Sequence, residues 1–63
     1  MNTNQIIIDK VNECIEAGRD YGYITHDGLL DIVDTMDDEI LRGVVRELER
    51  LEADDKLGFE LQL

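Results

Sequence analysis

The stretch EAGRDYGYITHDGLL, Glu16 to Leu30, decides how this chain folds. Two glycines, Gly18 and Gly22, bracket a charged and aromatic segment. Glycine adopts positive φ at little steric cost, so it marks the places where a chain turns or a helix ends. Gly18 is therefore expected to close a first helix, and Gly22 to make the tight turn after Arg19-Asp20-Tyr21. Tyr23-Ile24-Thr25 is too short for a helix, and its aromatic and β-branched side chains favour an extended strand. Thr25 then serves as the N-cap of a second helix, and Asp27 suits the positive end of that helix's dipole.

Working outward, the first helix is predicted over Asn4 to Ala17, capped by Asn2 or Thr3. Ile7, Val11, Cys14, Ile15 and Gly18 share one face at helical spacing, with Ile8 at its edge. The second helix covers His26 to Asp34, with Leu29, Leu30, Ile32 and Val33 facing inward and Asp27, Asp31 and Asp34 outward. Thr35 followed three residues later by Asp38 resembles a capping box, so the third helix is placed from Met36 to Ala53. Ile40, Leu41, Val44, Val45, Leu48 and Leu51 form its apolar stripe. After Ala53 the pattern changes to period two. Leu57, Phe59, Leu61 and Leu63 alternate with Gly58, Glu60 and Gln62, which reads as a half-buried strand pairing with Tyr23-Ile24-Thr25. The expected fold class is mainly α with a small β component. It is a single winged-helix-like domain spanning residues 1–63, in the order α-β-α-α-β.

Sixty-three residues bury only about 60% of the unfolded surface, so stability is expected to be marginal. The one cysteine, Cys14, allows no intrachain disulfide and reads as a small buried hydrophobe. No apolar run reaches the roughly 18 residues of a membrane span, and no signal peptide is evident, so a cytoplasmic setting is expected.

Sixteen acids against six bases give a net charge of -10. Such a surface repels phosphates and attracts basic partners. Acidity that merely keeps a small protein soluble is the plainer explanation. The charge is unevenly placed, however. Residues 20–41 hold seven acids, Asp20, Asp27, Asp31, Asp34, Asp37, Asp38 and Glu39, and no lysine or arginine. Folded, they are expected to form an acidic face around the second helix that imitates a row of phosphates.

Catalytic signals are missing. There is no serine, no phosphate-cradling glycine loop and no calcium-loop pattern of alternating acids. His26 and its aspartate neighbours lack metal-ligand spacing, because adjacent helical residues point about 100° apart. Neither an enzymatic activity, a cofactor nor a metal is expected. Arg42, Arg46 and Arg50 recur at i, i+4, i+8 on the third helix. In a helix-turn-helix protein such a row would contact DNA, which makes direct DNA binding the alternative. Residues 42–50 carry only +1, against -11 elsewhere, so the surrounding field opposes that reading. A further alternative is a dimerisation or scaffold module, a homodimer joined through Tyr21, Tyr23 and Phe59.

The segment GRDYGYITHDGLLDIV, residues 18–33, resembles the core of region 1.1 of primary bacterial sigma factors. The matching positions are Gly18, Arg19, Gly22, Tyr23, Ile24, Thr25 and Asp27, and Leu57-Gly58-Phe59 is similar to that family's final aliphatic-Gly-aliphatic strand. The resemblance implies an acidic three-helix domain that occupies the DNA channel of RNA polymerase, mimics nucleic acid there and leaves when promoter DNA enters. The delta subunit of Gram-positive polymerases is a looser relative in style. This chain departs from the pattern at His26, where an aromatic is usual, at Gly28, where another acid is usual, and in a short link after the second helix that lacks proline. It has no promoter-reading region. It is therefore expected to be either an excised domain or, since it has its own Met1, a free-standing small protein, of the kind a phage or mobile element encodes, that reuses the shape to regulate transcription.

Overall fold

The computed structural model describes residues 2–63. It is mainly helical, with α1 (Thr3–Tyr21), β1 (Tyr23–Thr25), α2 (His26–Val33), α3 (Asp38–Ala53) and β2 (Glu60–Gln62). The two strands pair in parallel, Tyr23 opposite Glu60, Ile24 opposite Leu61 and Thr25 opposite Gln62. A parallel pair needs a long crossover, and α2 and α3 supply it. The ladder is extended at one end by the Glu60 N–H, which donates to the Gly22 carbonyl at 3.2 Å.

Capping explains where each helix begins. Asn2, not Thr3, caps α1, its Oδ1 accepting from the Gln5 N–H at 2.8 Å. Thr25 caps α2 as expected, with Oγ1 accepting from the Gly28 N–H at 3.1 Å. The capping box expected at Thr35 does not form. Thr35 Oγ1 instead accepts from the Asp37 N–H at 3.2 Å, a local turn. Asp37 then caps α3 by accepting from the Glu39 N–H at 3.0 Å, so α3 begins at Asp38 and Met36 lies in the link.

The glycines divide the work differently from the sequence expectation. Gly18 does not end α1. It is buried inside the helix, and the Phe59 ring lies where a Cβ would project. The absence of a side chain serves close approach of the last segment to the helix. Gly22 is the true terminator, at φ +88°, with its N–H donating to the Gly18 carbonyl at 2.6 Å. α1 therefore runs four residues beyond Ala17. α3 ends in a Schellman arrangement, in which the Asp55 N–H donates to the Glu52 carbonyl and the Lys56 N–H to the Leu51 carbonyl. Asp55, at φ +58°, occupies the left-handed position where glycine is usual.

The core is continuous through every element except β2. Val11 and Cys14 of α1 meet Ile24, then Leu29 and Val33 of α2, then Ile40, Val44 and Leu48 of α3, and Leu57 closes one end. Ile32, Leu41, Val45, Leu51, Phe59 and Leu61 pack around it, half-buried. Leu30, expected inside, is 38% exposed, because α2 buries the narrower Leu29–Val33 stripe. Leu63 is exposed as well, and the regular strand covers only Glu60–Gln62 because Gly58 turns at φ +84° before it. Burial pushes the Cys14 thiol up from the usual 9.0 to about 11, with the Glu13 carboxylate adding to the shift.

Candidate acidic interaction surface

The seven acids fall at four helix ends. Asp20 lies in the last turn of α1. Asp27 lies in the first turn of α2, and Asp31 one turn later, about 6 Å along the axis. Asp34 is the left-handed C-cap of α2, at φ +46° and ψ +52°, its N–H donating to the Leu30 carbonyl at 2.9 Å. Asp37, Asp38 and Glu39 are the N-cap and first turn of α3. The four-residue link between α2 and α3 is thus acidic at both ends.

All seven are exposed. Among the described residues the ion pairs are Lys10–Glu13 at 3.3 Å, Arg50–Glu47, and Arg50–Asp54 at 3.3 Å. None involves the seven, so their charge is not cancelled by an adjacent cation.

Structural roles separate them into two groups. Asp27, Asp37, Asp38 and Glu39 stand at helix N-termini, where a negative charge is stabilising and Asp37 also caps. Their presence is explained by folding alone. Asp20, Asp31 and Asp34 stand toward helix C-termini, where the dipole disfavours an anion. Asp34 also holds a backbone conformation that a non-glycine residue adopts at a cost of roughly 1 kcal/mol. Folding does not account for these three.

The arginine row is split. Arg50 is held by Glu47 through both Nε and Nη2 and by Asp54 through Nη1, and this hydrogen bonding keeps the Glu47 carboxyl below its usual range. Arg42 and Arg46 form no ion pair among the described residues. They line a shallow cleft with His26, Leu41, Val45 and Glu49. Asp38 and Glu39, four and three residues before Arg42, form no ion pair with it.

Of the three aromatics proposed as a contact patch, Phe59 is half-buried against Gly18 and the core. Tyr21 and Tyr23 are exposed, at 74% and 48%. Together with Ala17, Gly28, Asp31 and Ile32 they line an open groove between the end of α1, β1 and α2. Sequence reasoning did not place Asp31 beside the tyrosines. The only available signal was the turn at Gly22, which brings the two rings to one edge of α2.

No family model, curated protein or solved structure matches this chain.

Proposed function

We propose that this chain is a non-enzymatic, winged-helix-like interaction domain. Its acidic face occupies a basic nucleic-acid-binding cleft, most directly that of RNA polymerase or of another DNA-binding protein, and excludes DNA from it. The resemblance to region 1.1 of primary sigma factors, the α-β-α-α-β order and the net charge of -10 all support this reading. The observation that carries it is narrower. Asp31 and Asp34 are exposed, form no ion pair among the described residues and stand at the wrong end of their helix for the dipole, so no stabilising role of their charge within the fold is seen there. Charge held against local stability is expected where a partner uses it.

In this mechanism the chain needs no bond-making chemistry. Carboxylates spaced along α2 and around the α2–α3 link meet lysines and arginines that otherwise grip phosphates. Binding releases counterions as DNA binding does, and the two occupants exclude each other. Regulation of transcription follows from that competition.

The test is displacement. The chain should release a labelled promoter duplex from bacterial RNA polymerase, and the Asp31→Lys/Asp34→Lys variant should lose this ability. Equal displacement by the variant would remove the acidic face from the mechanism.

Direct DNA binding is the second reading, favoured by Arg42 and Arg46, which form no ion pair among the described residues and line one cleft with His26. Arg50 is already engaged within α3, which leaves two free guanidinium groups against a field of -10. Retarded migration of a duplex with the chain alone at low salt would support this reading and oppose the first.

A further inference from the structure

The groove beside α2 has a composition that the acidic face alone does not explain. Its floor is apolar, formed by Ala17, Ile24 and Ile32. Its walls are two tyrosines, one of them the most exposed aromatic of the chain. The exposed Asp31 lines it as well. Asp27 lies one helical turn before Asp31, so its side chain is a near neighbour on the same face. The volume is about 350 Å³. None of the lining residues is a cation, and residues 20–41 contain no lysine or arginine. Arg19, the basic residue nearest in sequence, packs against Gly58 instead.

These features select an occupant. An anionic ligand, nucleic acid included, would meet an unpaired carboxylate and the surrounding negative field. A purely apolar ligand would bury that carboxylate without a partner, which is costly. An arginine side chain satisfies every wall. Its guanidinium stacks on a tyrosine face, its N–H groups pair with the carboxylate, and its methylene stem covers the apolar floor. Arginine fits better than lysine because its planar fork is less strongly hydrated and can stack and pair at once.

We propose that the Tyr21–Tyr23–Asp31 groove is the specificity pocket of the acidic face and receives an arginine side chain from a basic protein partner. The proposal rests on the reading of the acidic face as a protein-docking surface and adds to it a single anchoring point. The carboxylates elsewhere attract the partner at long range, and the groove fixes its register. Exposed tyrosines able to pack against a cation are the type of residue on which binding energy concentrates.

The experiment uses the intact chain and two probes, a short capped peptide with two arginines and the same peptide with lysines. ¹H–¹⁵N spectra at low ionic strength should show saturable shifts centred on Ala17, Tyr21, Tyr23, Gly28 and Asp31, with tighter binding of the arginine peptide. The Tyr21→Leu/Tyr23→Leu variant, whose altered side chains are exposed, should bind that peptide at least about fivefold more weakly, as expected for the loss of about 1 kcal/mol of cation–π attraction. Asp31→Asn should weaken it as well. Shifts spread evenly over α2 and the α2–α3 link, equal affinity for the two peptides, unchanged binding by the tyrosine variant, or no saturable binding would each overturn the proposal. The docking reading fails separately. If the arginine peptide fills the groove but the chain does not displace DNA from RNA polymerase, the pocket stands and the polymerase reading falls. If the tyrosine variant displaces DNA as well as the parent chain, that reading stands and the pocket falls.

Discussion

At the residue scale, four positions carry effects that can be measured. Asp34 and Asp55 both adopt left-handed backbone, at φ +46° and +58°. Asp34→Asn and Asp55→Gly should each raise stability by about 1 kcal/mol, read as an increase in Tm of roughly 4–8 °C. Only Asp34→Asn should weaken binding to a basic partner, which separates a strained surface residue from a strained functional one. Gly18 is the opposite case. A methyl group there would overlap the Phe59 ring, so Gly18→Ala should destabilise by about 1–3 kcal/mol although alanine favours helix, and chemical denaturation would show it. Cys14 titrates at about 11 when folded against 9.0 in the ordinary case. The unfolded chain therefore loses its thiol proton first. The stabilisation from keeping the thiol neutral is complete below pH 9 and is lost as pH rises through about 11. Its size is about 3 kcal/mol, from a shift of roughly two pH units. Denaturation midpoints across that range should fall more steeply for the parent chain than for Cys14→Ala.

At the scale of elements, chain order and type were legible in the sequence, and boundaries less so. The Thr25 cap and the Tyr23–Thr25 strand could be read directly because each depends on neighbours within three residues. Gly18 and Thr35 both departed from their local reading. Each has a strong local propensity that another contact overrides, the distant Phe59 ring in the first case and the neighbouring Asp37, as the better-placed cap, in the second. Leu30 and Leu63 looked inward because apolar spacing cannot show how narrow a stripe a short helix or a three-residue strand will bury. The acidic character of α2 and its link was legible from composition. The division of those acids into stabilising and destabilising sets was not, since it depends on where each helix starts and stops. The groove beside Asp31 was equally hidden, because Tyr21 and Tyr23 reach it only through the Gly22 turn.

At the scale of the whole molecule, a net charge of -10 on 63 residues has two consequences of opposite sign. Self-repulsion destabilises the compact chain, so screening by salt should raise its Tm. The same screening should weaken its attachment to a basic cleft. Stability that rises with salt while affinity falls is expected if the carboxylates serve a partner. The measurement that bears most directly on the central claim is the affinity of the chain for bacterial RNA polymerase as a function of salt, for the parent and for Asp31→Lys/Asp34→Lys. The account predicts a loss of at least tenfold for the parent between about 50 and 200 mM salt, as for ligands that release counterions, and no detectable binding by the variant. A flat salt response with both chains binding equally would contradict it.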